Sequence, residues 1–475
     1  MKKKEQKKQP SKKNGSSFFS ENEVLKFAEG TEADIAAADS RLKETDAEES
    51  GTEAKDSRKE AEDSRKEAKD SRKEFEGSGD EASGSGSEAS GSENEASGSG
   101  SEASGSENEA EYEEPVPRKK LPTVSYVFFG TALLSLVLYI IALVSPAFAD
   151  WFTRYPAGGV RAALAFITGF LPFSLGEFTV FMIPFTLVFF LVYVVRRYSD
   201  SWHNVGVFAL TMLSVLSVFF SLFVFTLGTG YKGATLDKKL EIERNKVLPD
   251  ELKATALILA EKLKEEETNV TYVSNGFSMM PYFYSEMNEK LMTAYDRLSE
   301  KYDFVQRMTS AVKPVMHSEP WTYTHITGVY TFFTGESNIN INMPDYTIPF
   351  TAAHELAHQR GIAREDEANF IAYLACTESD DPYIRYSGYL NMYEYVASAL
   401  YSADSDSYWI VNAKLSSEIK TELKAYSTFF DKYRHNVAAT VSGAINDTYL
   451  KVQGTVGERS YGLVVDLCVA YYKSF

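Results

Sequence analysis

The chain has 475 residues, with 67 acidic against 49 basic side chains and a formal net charge of -18. No concentrated basic patch offsets that charge, which argues against nucleic acid, whose phosphates demand clustered Lys and Arg. Two cysteines, Cys376 and Cys468, are too few for a disulfide framework; both fall in apolar helical segments, as buried thiols do, with a single bridge as the alternative.

Residues 1 to about 117 read as a disordered, acidic, low-complexity tail. A seven-residue repeat begins at Asp56-Ser57-Arg58-Lys59-Glu60-Ala61 and lacks the large apolar residues that a coiled coil needs at its a and d positions. From Glu81, Glu-Ala-Ser-Gly-Ser units recur and read as a flexible spacer, because such a composition cannot offset its ordering entropy. A cytoplasmic partner for this tail is the alternative expectation.

Residues 118–230 read as a membrane region. Apolar runs at about 123–145, 177–196 and 204–228 have spanning length. The run from Val160 to Phe173 is interrupted by Gly169 and Pro172 and is too short to span. Arg118, Lys119 and Lys120 precede the first run, and Arg196 and Arg197 lie between the second and third. Positive residues favour the cytoplasmic side, so the tail is expected inside and residues 231–475 outside the cell membrane.

Residues 231–475 have the composition of a globular domain, mostly helical with a small sheet. Helices are expected at Asp250–Glu267 and Asn288–Tyr302, and strands at Ile326–Phe333 and Asn338–Asn342, the latter alternating as a half-buried strand does. A helix introduced by Pro349 then carries His354-Glu355-Leu356-Ala357-His358. Positions i and i+4 share a helix face, so two imidazoles there can hold one Zn²⁺, and Glu355 can act as general base toward water on the metal. A third ligand is required. Gly361 can end the helix, and the acids that follow, Glu365-Asp366-Glu367, suit the first turn of the next one and offer the missing carboxylate.

The segment Glu365-Asp366-Glu367-Ala368-Asn369-Phe370-Ile371-Ala372 resembles the Glu-x-x-Ala-Asn/Asp-x-x-Ala segment of gluzincin metallopeptidases. That resemblance implies Glu365 as the third ligand and Asn369 as the residue orienting a ligand histidine, with Glu367 as the second choice. A metzincin arrangement would place its third histidine at Arg364. More of the chain is similar to an uncharacterised bacterial membrane family, domain of unknown function 3810. The likeness is carried by Leu171-Pro172-Phe173-Ser174-Leu175-Gly176-Glu177, Thr334 through Asn340, Pro349 through Phe370, Arg385 through Leu390, and Ser460 through Leu467. It implies an α+β, mostly α zincin-like domain behind a few membrane helices.

The expected activity is zinc-dependent hydrolysis of exported or cell-surface peptides or proteins; the alternative is a zinc-binding receptor or scaffold without catalysis. Candidate donors to the developing oxyanion are Tyr386 and Tyr461, with Arg459 and His435 behind them. Glu336 is expected either to hold the strand by hydrogen bonds or to line the cleft. His317 and His325 are not expected to bind metal, because the motif and an acid complete the site.

Overall fold

The computed structural model describes residues 117–434 and 436–474. The expected disordered tail lies outside the described residues, as does His435.

Helix α1 (Thr123–Val144) is followed by two short helices, α2 (Pro146–Arg154) and α3 (Pro156–Gly169). Next come α4 (Leu175–Arg197) and α5 (Trp202–Phe223), the latter running on to Gly228. Three of these, Thr123–Val144, Leu175–Arg197 and Trp202–Gly228, are long and apolar enough to cross a membrane. Serine hydroxyls set two of their starts: Ser174 accepts from Glu177 N, and Ser201 from Asn204 N. At one end of the three, Lys119 N donates to Asn204 Oδ1 at 2.8 Å, Lys119 Nζ donates to Arg197 O, and Lys119 sits over the Tyr198 ring. The basic residues therefore gather at that end, and the rest of the chain packs at the other.

The segment read as too short to span is α3, and it turns Ala157, Arg161, Ala165 and Thr168 into protein. Arg161 is fully buried. Its guanidinium donates to Thr226 O at 3.0 Å, Thr153 O at 2.8 Å, Gln306 Oε1 at 2.9 Å and, more weakly, Arg360 O at 3.4 Å. Burial of this charge is tolerable because acceptors surround it.

Beyond α5 the chain forms α6 (Leu236–Lys239), α7 (Pro249–Glu267) and α8 (Tyr284–Lys301). Then come β1 (Lys313–Pro314), α9 (Ser318–Thr322), β2 (Gly328–Thr331) and β3 (Glu336–Ile339). The strands form one sheet in the order β1-β3-β2, with β1 parallel and β2 antiparallel to β3. The expected Ile326–Phe333 strand is trimmed to four residues. The expected half-buried strand at 338–342 instead begins at Glu336 and is buried on both faces. Its polar residues are satisfied internally: Ser337 Oγ donates to Glu355 O, and Asn338 Nδ2 to Thr331 Oγ1. Alternation therefore marked internal hydrogen bonding there, and not a face in water.

The remaining elements are helical: α10 (Thr347–Gln359), α11 (Glu365–Thr377), α12 (Pro382–Ala403), α13 (Ser405–Asn412), α14 (Ser417–Asp431), α15 (Val437–Val452) and α16 (Val464–Lys473). Among the described residues the protein is thus mostly helical with one small sheet. The main core joins α7, α8, α10, α11, α12 and α16 through residues such as Leu259, Leu291, Leu356, Phe370, Leu390 and Leu467. Cys376 and Cys468 are both buried free thiols, so the bridge does not form.

Candidate metal centre

Helix α10 ends in a tight turn. Gly361 takes φ +95°, and Gly361 N and Ile362 N donate back to His358 O and Ala357 O. A residue with a Cβ would be strained there and would also meet Arg161 Nη2 at 2.6 Å. The turn lets α11 start at Glu365, with three acids at the positive end of its dipole. It also folds α11 back so that Glu365 faces α10.

The result is a convergence of three buried side chains. Glu365 Oε2 lies 3.3 Å from His354 Nε2 and 3.3 Å from His358 Nε2. His354, His358 and Glu365 form a group that could hold a metal ion. His358 Nδ1 donates to Ile362 O at 2.7 Å, which directs the lone pair of a neutral ring's Nε2 toward Glu365. Donors about 2.0–2.1 Å from a tetrahedral ion stand roughly 3.3 Å apart, so the spacing of these atoms fits such an ion. A charge-assisted N–H···O pair is usually closer, at about 2.7–2.9 Å.

The electrostatics describe the same cluster. Burial pushes the Glu365 carboxyl up, but His358 and His354 outweigh it and hold Glu365 far below the usual carboxylate range. Burial lowers both imidazoles. In His358 the Glu365 carboxylate reverses that and lifts the ring to about 9, whereas His354 stays below its ordinary value. Glu355 is raised to about 8, first by burial, with Glu365 adding to it and His358 opposing. A perturbed acid beside two histidines and a carboxylate in a cleft is the signature of a functional site.

Asn369, one turn after Glu365, lies against His354 and raises its basicity, while its Nδ2 donates to Tyr395 Oη at 3.2 Å. Glu367 faces away from the histidines. It accepts from Leu236 N and Arg364 Nη1, both at 2.9 Å, and Arg364 also donates to Tyr231 O and Gly233 O. Glu367 is therefore a strut between α11 and the chain leaving the third apolar helix.

The three side chains lie in a cleft of about 1850 Å³. One wall is β2, an edge strand that pairs with β3. The bond from Asn340 N to Thr327 O sets the phase of that ladder, so the peptide groups of Gly328 and Tyr330 point away from β3. The Tyr330 N–H reaches Glu355. The opposite wall is α15, with Val441, Ile445 and Tyr449 facing the cleft.

Of the expected oxyanion donors, Arg459 lines the cleft. Tyr386 does not: its hydroxyl donates to Glu422 Oε2 at 2.5 Å and shares a bond with Tyr272, in the buried core. The side chain of Tyr461 lies outside the described residues. Glu336 holds the strand, accepting from Leu175 N, Gly176 N and Lys313 Nζ. His317 pairs with Glu177, and His325 donates to Tyr433 O, so neither joins the cluster. Sequence reasoning missed Tyr395 and Tyr449, which line the cleft, and Gly328, whose spacing from the motif carries no signal.

No curated protein and no solved structure matches the chain. The sequence profile of a protein family of unknown function, DUF3810, matches residues 155–469, starting after the first apolar helix and covering His354, His358 and Glu365. The chain belongs to that family, DUF3810.

Proposed function

We propose that this chain is a membrane-anchored zinc metallopeptidase of zincin-like, gluzincin type, acting on exported or cell-surface peptides or proteins. The observation that carries the reading is the meeting of His354 Nε2, His358 Nε2 and Glu365 Oε2 beside the Glu355 carboxylate, whose Oε2 has no hydrogen-bond partner. Two imidazoles and a carboxylate are a donor set that suits zinc, which when bound supplies a Lewis acid to polarise a carbonyl and acidify water.

The chain's own residues supply the rest. Glu355 is the general base: its carboxylate, next to the first ligand histidine, can accept a proton from water and return it to the leaving nitrogen. The outward peptide groups of β2 can pair with an extended substrate as an added strand. The Ile362 carbonyl holds the His358 imidazole in orientation, and Asn369, one turn after Glu365, is placed to do the same for His354. Arg459 is the candidate donor to the oxyanion.

The basic cluster at Arg118–Lys120 and Arg196–Arg197 supports an orientation with the N-terminus in the cytoplasm and the metal centre outside. The test is metal content and peptide hydrolysis by the full chain in detergent, for wild type, His358→Ala and Glu355→Gln. The reading requires zinc in wild type and Glu355→Gln, its loss in His358→Ala, and hydrolysis in wild type alone. Zinc without hydrolysis, with a biological effect that survives Glu355→Gln, would favour a zinc-binding receptor or scaffold.

A further inference from the structure

We propose that the cleft takes the membrane-flanking segment of a polypeptide anchored in the same bilayer; this deepens, and rests on, the peptidase reading. The argument begins with where the cleft ends. Leu227, in the last turn of the third apolar helix, and Tyr231, three residues beyond its end at Gly228, line it. Phe332, at the tip of the β2–β3 hairpin, lines it as well and packs edge-on against Phe223 at 5.6 Å. The neighbouring Phe333 packs on Phe219, more than two turns before Gly228. The strand that would bind substrate therefore runs into the level of the apolar helices.

The opposite wall does the same. At its C-terminal end α15 is tied to the membrane region. Tyr449 shares a hydroxyl bond with Tyr231, Lys232 Nζ donates to Gln453 O at 2.6 Å, and Tyr139, within the first apolar helix, donates to Gln453 Oε1 at 3.4 Å. Tyr139 lies inside a helix of spanning length, so the end of this wall sits at the depth of that helix. The cleft thus has one end in protein, near His325, and the other at the apolar helices.

The wall carries uncovered apolar side chains among polar ones such as Asn446 and Thr448. Val441 and Ile445, one turn apart on α15, face the cleft while 52 % and 66 % exposed. Val437 and Val452 continue the exposed apolar residues to the two ends of the same helix. Apolar side chains lining one side of an open groove that continues into the surface of membrane helices suit an extended segment with apolar residues, leaving or entering the bilayer. A soluble peptide has no need of a groove that ends there. The metal centre is fixed at that level, because Arg161 between the first two spans holds the last turn of α10, and Glu367 holds the exit of the third.

The experiment uses the full zinc-loaded chain in lipid nanodiscs with three probe pools that carry the same randomised segment. In the first the segment directly follows a single transmembrane helix. In the second a long Gly/Ser spacer separates it from that helix. In the third it is free in solution. Cleavage is read by mass spectrometry. The first pool is expected to be cut roughly ten-fold faster than the second, since a long spacer lowers the effective concentration at the cleft. Ile445→Asp should reduce that advantage while leaving zinc content unchanged. Equal cutting of all three pools, or faster cutting of the free one, overturns this proposal and leaves the peptidase reading standing. No cutting of any pool by the zinc-loaded chain overturns both.

Discussion

Gly328 lies against the Glu355 carboxylate so closely that a Cβ on Gly328 would come within 2.5 Å of Glu355 Oε1. The edge strand and the proposed base are therefore in contact through the one residue type that leaves room. Gly328→Ala should displace Glu355 without touching either histidine. The expected outcome is retention of zinc with a loss of roughly 10²-fold in kcat/KM, the cost of moving a catalytic group by about 1 Å. Metal analysis and hydrolysis on the same preparation check it; wild-type activity would show that Glu355 is not the base.

The two acids of α11 should separate cleanly. Glu365→Ala is expected to abolish zinc binding, because its Oε2 lies between the two Nε2 atoms. Glu367→Gln is expected to retain zinc, since Glu367 bonds Leu236 N and Arg364 and faces away from the histidines. Zinc content of the two variants is the measurement, and loss in Glu367→Gln would return Glu367 to the ligand set.

Removal of the ion should loosen the fold. Chelation leaves Glu365 to hold two buried imidazoles without a metal, and a ligand present at a thousand times its Kd stabilises the folded state by about 4 kcal/mol. The thermal unfolding midpoint in detergent should fall on chelation and recover on adding zinc. His358→Ala should show the lower midpoint from the start and no response to either treatment.

Glu394 on α12 predicts a pH dependence away from the metal. Burial, reinforced by Glu422, raises its carboxyl to about 8, with only a long bond of 3.5 Å from Tyr346 Oη opposing. Its folded pKa exceeds the unfolded value near 4.3. Below that value the group is neutral in both states and costs nothing. As pH rises toward 8 the unfolded chain releases its proton first and stability falls, by on the order of 5 kcal/mol once both states are ionised. Glu394→Gln should therefore raise the unfolding midpoint at pH 8 and leave it nearly unchanged at pH 4. An equal shift at both would remove Glu394 from this role.

Tyr386→Phe should affect stability and not turnover. Its hydroxyl serves Glu422, which keeps only the Ser278 N and Oγ donors once that bond is lost. A buried oxygen stripped of a donor costs about 1–3 kcal/mol. Denaturant unfolding should register this, while kcat/KM stays at the wild-type value.

The grouping of His354, His358 and Glu365 was legible because its parts are local. His354 and His358 share a face one turn apart, and Glu365 and Asn369 repeat the device on the next helix. The same periodicity separates Glu365 from Glu367, since two residues along a helix point about 200° apart. The three apolar helices were legible from run length, and their limits agree within two or three residues. The cleft walls were not legible. Gly328, Tyr395 and Tyr449 come from three elements that meet only in the folded chain, and no spacing links them to the motif. Tyr386 misled for the opposite reason: in a chain with 29 tyrosines, a buried hydroxyl paired to an acid looks in sequence like any other.

The Arg161 guanidinium reaches Thr153 and Thr226 on the membrane side and Arg360 at the close of the metal-binding helix. A single side chain thus reaches from the apolar helices to the candidate metal centre. Proteolytic shedding of residues beyond the third span would strip the Arg360 carbonyl of that support. The released piece should therefore hold a metal ion less tightly than the anchored chain, which would keep the proposed activity at the membrane.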